Sequence, residues 1–273
     1  MEFISPSAWF SISLPDGWHE FEDTEESFLF YNPERWEGNF RISAYRGDNI
    51  QYATRMLRQE LKQAPQSKAQ KVGIWDCVYS RIDFQEEGVD YSTHFWLTGE
   101  KDIIVECSFT IKEEVSPTIG ETILKSLRIR KANEVWKRII DIRLAEISRI
   151  NMGYEWASKE VKKLLRKDFT SSEQDIEKLQ ALLDKQVSKE KLPQSWIDIG
   201  LTFGAILVEE MDGMRWVSII DGKEEYPALQ FENTDVFFYP TLFIAQEKKQ
   251  KGQCSLKDVF STLKAQIEKA LLT

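Results

Sequence analysis

The sequence predicts an α+β protein: an antiparallel sheet with flanking helices, followed by a smaller, helix-rich α+β domain holding one β-hairpin. Three observations predict it. Stretches between Val72 and Ile111 alternate apolar and polar residues, and their connections, Glu86-Glu87-Gly88 and Gly99-Glu100-Lys101, are short enough to force antiparallel hairpins. After Lys131 the alternation gives way to helical stripes. Trp196 to Glu210 is then apolar on nearly every side, as a fully buried helix must be, and it leads into an aromatic, β-branched strand, Met214 to Ile220, that closes on the hairpin signal Asp221-Gly222.

Taken in order, Trp9 to Leu14 alternates, with Phe10, Ile12 and Leu14 on one face, and runs into the turn Pro15-Asp16-Gly17-Trp18. Ser27–Tyr31 and Asn39–Tyr45 are short strands split by Asn32-Pro33. Asp48 and Gln51 have capping-box spacing before a helix whose stripe is Ala53, Met56, Leu57, Leu61 and Ala64, and Pro65 stops it. Three strands follow, Val72–Phe84, Val89–Leu97 and Ile103–Ile111. Ser116-Pro117 then opens a helix striped by Ile119, Ile123, Leu124 and Leu127.

Trp136, Ile139, Ile140, Leu144 and Ile147 predict a linking helix, and Ala157, Val161, Leu164 and Leu165 another. Ser171-Ser172 caps a third, striped by Ile176, Leu179, Leu183 and Val187. Pro193 opens the buried helix, in which Gly200 and Gly204 lie one turn apart and leave room for a close backbone approach. Tyr226–Phe231 is the returning strand, and Val236–Pro240 is a buried segment with proline at an edge or strand end. Lys248, Lys249 and Lys251 read as a solvated loop, and Ser255 caps a last helix striped by Leu256, Val259, Phe260, Leu263, Ile267 and Leu271.

A chain of 273 residues exceeds the usual size of one core, about 150 residues, so two domains are expected. The boundaries are 1–130, a link over 131–153, and 154–273. Lys plus Arg is 36 against 45 Asp plus Glu, a net charge of −9, which argues against a nucleic-acid surface and permits a basic partner. The longest apolar run, Val236 to Ala245, is about half of a membrane span and holds Pro240, and the opening residues carry no secretory pattern. Cys77, Cys107 and Cys254 have no CxxC spacing and cannot all pair, so reduced thiols in a cytoplasm are expected.

The opening Ile12-Ser13-Leu14-Pro15-Asp16-Gly17-Trp18, the mid-domain helix, the antiparallel meander and the closing Ile123-Leu124-Lys125-Ser126-Leu127 resemble the PsbP-like fold. That superfamily includes the oxygen-evolving-complex subunit P, the Ran-binding nuclear import factor and many bacterial domains of unknown function. The resemblance implies an α/β sandwich and a binding or assembly scaffold, with no shared catalytic residues to carry over. In the second half, Gly200-x-x-x-Gly204, Arg215-Trp216-Val217, Asp221, and Tyr239-Pro240 followed by Lys248-Lys249-x-Lys251-Gly252 resemble a bacterial domain of unknown function found behind PsbP-like domains.

Candidate chemistry is sparse. Hairpin parity places Cys77, Tyr79, His94 and Trp96 on one face, with Cys107 able to join them; a thiol near an imidazole could be a nucleophile or a metal site, but this environment favours packing. Glu209, Glu210, Asp212, Asp221, Glu224 and Glu225 crowd the buried helix's end and the hairpin tip, where solvated charge is normal. No phosphate-cradling glycine loop occurs. Arg215 shares a face with Val217 and Ile219, which suggests the core side of its sheet, paired there with Asp198 or Asp221; the alternative is a ligand-anchoring arginine beside Trp216. The reading that follows is a cytoplasmic, non-catalytic protein-interaction or scaffold protein without cofactor, metal, nucleic acid or membrane span. Arg215, Trp216, Asp198 and Asp221 are its candidate contact residues. An acidic, immunity-like partner of a basic protein and a small hydrolase or metal enzyme are the alternatives.

Overall fold

The computed structural model describes residues 1–22, 27–131, 133–186, 193–222 and 224–271. The chain forms two units, Met1–Trp136 and Lys137–Thr273, in a mixed α+β architecture with antiparallel sheets. The second unit is not the smaller, because the stretch expected to link the two belongs to it.

The first unit begins with β1 (Glu2–Ile4), β2 (Phe10–Ser13), β3 (His19–Phe21), β4 (Phe28–Tyr31) and β5 (Asn39–Arg46), then helix α1 (Tyr52–Gln63). A meander follows: β6 (Lys68–Val72), β7 (Trp75–Glu86), β8 (Val89–Glu100) and β9 (Ile103–Lys112), before α2 (Thr118–Lys125) and β10 (Arg128–Ile129). Seven strands make one sheet in the order β3-β4-β5-β9-β8-β7-β6, while β1, β2 and β10 form a small separate sheet. The expected strand Val72–Phe84 is in fact the end of β6, a turn at Gly73-Ile74, and β7.

Register divides the large sheet cleanly. On one face Phe28, Ile42, Cys107, Trp96 and Tyr79 run across successive strands, with Phe40, Phe109 and His94 in the next row. This face is the core, packed with Phe10 and Ile12 of β2 and Ile123 and Leu124 of α2. Each fully buried large side chain of this kind contributes about 1.5–3 kcal/mol or more. Helix α1 lies on the opposite face, where the Cβ position at Gly99 is 3.1 Å from Ala53. Only Ala53 of its predicted stripe is buried, and Leu61 is exposed.

The second unit starts with β11 (Lys137–Asp141), which replaces the expected linking helix, and α3 (Leu144–Leu165), a single helix covering what read as parts of two. It continues with α4 (Asp175–Lys185), α5 (Gln194–Glu210), β12 (Met214–Asp221), β13 (Glu224–Phe231), β14 (Phe237–Phe238), α6 (Phe243–Lys251) and α7 (Leu256–Ala270). The four strands pair in sequence order. Val187 lies outside the described residues, but Ile176, Leu179 and Leu183 are buried as predicted. The basic run Lys248–Lys251 is the last turn of α6, capped by Gly252 in the left-handed region, rather than a loop.

Helix α5 is the buried element the sequence promised. A Cβ at Gly200 would meet the Pro240 carbonyl oxygen at 1.9 Å, and one at Gly204 would meet Trp216 at 2.6 Å. Glycine is there because the Tyr239-Pro240 backbone and an indole lie directly on the helix.

Candidate functional site

Each predicted candidate has a definite place, and the four do not form one site. On β12, Met214, Trp216, Ser218 and Ile220 share the face turned to α5, whereas Arg215, Val217 and Ile219 share the other. Arg215 is therefore not on the core side. Its exposed guanidinium reaches Gln230 (3.1 Å) and Asp141 (3.3 Å), with further bonds to the Glu232 carbonyl (3.3 Å) and Asn233 (3.4 Å). Asp198 is buried as expected, but its partner is Arg149 of α3 (2.6 Å), supported by Gln194 (3.0 Å). Parity misled because both faces of β12 are apolar, so alternation alone could not say which one meets the helix. Asp221 forms an exposed ion pair with Lys137 across the first two strands of the sheet. Trp216 fills the notch at Gly204.

The buried charge that the sequence reading missed is Arg143. Its side chain forks onto Glu146 and reaches Glu225 at 3.1 Å, tying the start of α3 to β13. Burial works against the cation, but the two carboxylates outweigh it and hold the guanidinium charged. Among the other hairpin and helix-end acids, Glu210 accepts the backbone N–H of Glu173 (2.8 Å). No group of three or more potential ligands among the described residues could hold a metal.

In the first unit the parity argument describes the geometry well. Tyr79 Oη and His94 Nδ1 are 2.8 Å apart, Ser92 Oγ is 3.3 Å from Nε2, and the imidazole stacks on Trp96. His94 is 3% exposed, and burial lowers its pKa, so at neutral pH the ring is a neutral, packed group. Burial pushes the Cys77 thiol up to about 11 and that of Cys107 well above its ordinary value. A nucleophile needs the opposite shift. These residues can pack and exchange hydrogen bonds; they are poorly suited to attack an electrophile.

The feature with the chemistry of recognition was absent from the sequence reading. The β7–β8 hairpin extends past the core, and from Arg81 to Glu86 every residue of β7 is exposed. On the face shared with α1, but toward the hairpin end of the sheet, Phe84 pairs across to Tyr91 and Ile82 to Thr93. Phe84 stacks on Tyr91 with centroids 5.5 Å apart, and Trp36 meets Tyr91 edge-on at 6.1 Å. Trp36 is 40%, Phe84 39% and Ile82 52% exposed. The Trp36 loop is pinned by its indole N–H donating to Asn39 (2.7 Å) and by Gly38 at φ +120°, where a Cβ would strike Phe109 and Ile111 at 2.5 Å. The usable signal was the alternation that puts Ile82 and Phe84, and across the turn Val89 and Tyr91, on one face of the hairpin.

Comparison with known proteins bears on family and fold. No curated protein matches. A protein from Bacteroides thetaiotaomicron VPI-5482, known from a crystal structure, is 44% identical over 96% of this chain and 97% of its own, with a TM-score of 0.88. Cyanobacterial PsbP (CyanoP) from Synechocystis sp. PCC 6803 is 10% identical over 48% of this chain and 92% of its own, with a TM-score of 0.27. LpqN of Mycobacterium tuberculosis, described as involved in cell envelope biogenesis, is 13% identical over 45% and 83%, with a TM-score of 0.29. Residues 175–260 match the model of a Domain of unknown function (DUF3806), and residues 1–151 match that of a Domain of unknown function (DUF3805), so the chain belongs to the DUF3805 family with a DUF3806 domain in tandem.

Proposed function

We propose that this chain is a non-catalytic protein-interaction module that docks a partner on the hairpin end of its seven-stranded sheet. The observation that carries the reading is the Trp36–Tyr91–Phe84 cluster, in which three aromatic rings meet at the surface on the same strand face as the exposed Ile82. Aromatic side chains grouped and exposed in this way are costly to keep in water and are characteristic of binding surfaces. The buried, high-pKa thiols and the neutral His94 support a binding role over the hydrolase alternative. Three unpaired cysteines fit a reducing, cytoplasmic setting. No helix among the described residues is long and apolar enough to cross a membrane. Within the second unit, Asp198 and Trp216 serve internal architecture, and Arg215 and Asp221 are the candidate contact residues at the surface.

The test is site-specific crosslinking in the producing cell. A photoreactive phenylalanine analogue at position 84 should give a discrete protein adduct that disappears when Trp36→Ala is added, with the thermal midpoint unchanged. No adduct, or a large loss of stability on Trp36→Ala, would show that the cluster is packing and end the reading.

A further inference from the structure

The aromatic cluster lacks something that several other aromatic rings of this chain possess. Arg46 lies 4.7 Å over Trp9, Arg55 5.5 Å over Tyr52, Lys68 5.3 Å over Tyr79, Arg128 5.7 Å over Trp136 and Lys248 4.8 Å over Trp196. Among the described residues no such cation covers Trp36, Phe84 or Tyr91. Trp36 and Tyr91 stand at 84° to each other, so together with the Phe84–Tyr91 stack they form a corner of π surfaces rather than a flat plate. A guanidinium is the group whose planar, weakly hydrated charge stacks best on such faces.

The surroundings have the matching sign. Glu34 and Glu37 flank Trp36 in sequence, Glu86 follows Phe84 on the same strand face, and Glu87 sits at the hairpin tip. Nearby cations are largely engaged: Arg35 pairs with Glu37 at 2.7 Å, and Arg81 with Asp83 and Glu113. Lys112, directly opposite Tyr91 on the neighbouring strand, is the exception. Glu34, Glu86 and Glu87 form no ion pair among the described residues. A carboxylate rim around uncovered rings selects a cationic segment and disfavours an acidic one.

We infer that the occupant of this face is an arginine-bearing segment of a partner protein, whose guanidinium groups stack in the Trp36–Tyr91 corner while neighbouring cations meet the carboxylates at the hairpin tip. The inference rests on the docking role proposed above and adds the partner's chemistry. The alternative occupant, a second copy of this chain, fits less well because it would bring two acidic rims together.

Fluorescence anisotropy with labelled nonapeptides alternating arginine and glycine, lysine and glycine, or glutamate and glycine tests it on the full chain. The arginine peptide should bind tightest and the glutamate peptide not at all. Trp36→Ala should weaken the arginine peptide by about threefold to thirtyfold, the range expected for one desolvated cation–π contact. Glu86→Gln with Glu87→Gln should weaken it further and flatten its salt dependence, while Glu209→Gln with Glu210→Gln leaves it unchanged. Should Trp36→Ala fail to fold, Phe84→Ala serves the same purpose. Equal binding by the aromatic variants, a preference for lysine, or a parent dimer that these substitutions dissociate would each overturn the inference. A crosslinked partner at position 84 combined with indifference to the arginine peptide would overturn this inference alone and leave the docking role standing.

Discussion

Gly200→Ala is the sharpest test of how the second unit is built. In an exposed helix interior the change should stabilise by about 0.8–1 kcal/mol, because alanine is the better helix former. Here the added methyl would lie 1.9 Å from the Pro240 carbonyl oxygen and 3.0 Å from its carbon. Relief to ordinary contact demands a shift of roughly 1.5 Å in backbone, not in a flexible side chain. Phe243, 3.4 Å from the same position and packed on Phe203 and Phe238, must follow. Overpacking of this kind costs about 1–3 kcal/mol, and the upper end applies where backbone moves, leaving a net loss of about 2 kcal/mol. That corresponds to a fall of roughly 5–10 °C in the midpoint for a unit of this size. Gly153→Ala supplies the control, since its Cβ would meet Asp198 at an ordinary 3.4 Å and should leave the protein as stable or more so. Calorimetric melting of both variants decides the matter. If Gly200→Ala melts at or above the parent, Pro240 is not seated on α5 as described.

The remaining predictions follow from the site geometry. A double-mutant cycle on Asp198→Leu and Arg149→Met should return a coupling of about 1–2 kcal/mol by urea unfolding, whereas Arg215→Met should cost less than about 1 kcal/mol; a larger coupling of Asp198 to Arg215 would contradict the observed pairing. His94 has a folded pKa below its unfolded value near 6.5, so the unfolded chain takes up the proton first and stability falls as pH drops from about 6.5 toward the folded pKa; His94→Gln should remove that part of the pH profile, and an unchanged profile would refute it. Cys77 and Cys254, with burial holding both thiols near 11, should resist iodoacetamide at pH 8 in the native protein and react once it is unfolded; rapid native labelling of either would reopen the nucleophile reading. Limited proteolysis should cut between Arg130 and Lys137 and release two resistant fragments; cleavage inside either unit first would count against two independent cores.

Local physics made much of the fold legible in the sequence alone. Strand alternation with short connections dictates antiparallel pairing, so the meander, the shared face of Cys77, Tyr79, His94, Trp96 and Cys107, and the Asp221-Gly222 hairpin could all be read from parity and turn chemistry. The continuous apolar surface of α5 and the Ser255 cap of α7 were equally local, the latter realised as a bond from Asp258 N–H to the serine oxygen. Only the tertiary structure decided what depends on which surface meets which. Residues 137–141 have an apolar pattern that suits a helix or a strand, and pairing with β12 made them a strand. Asp198 could have met any nearby cation, and the crossing of α3 over α5 supplied Arg149 instead of Arg215. The exposed corner of Trp36, Phe84 and Tyr91 is the same kind of case. Its residues are ordinary core formers in sequence, and they face water because α1 covers the sheet near Gly99 and stops short of the hairpin end.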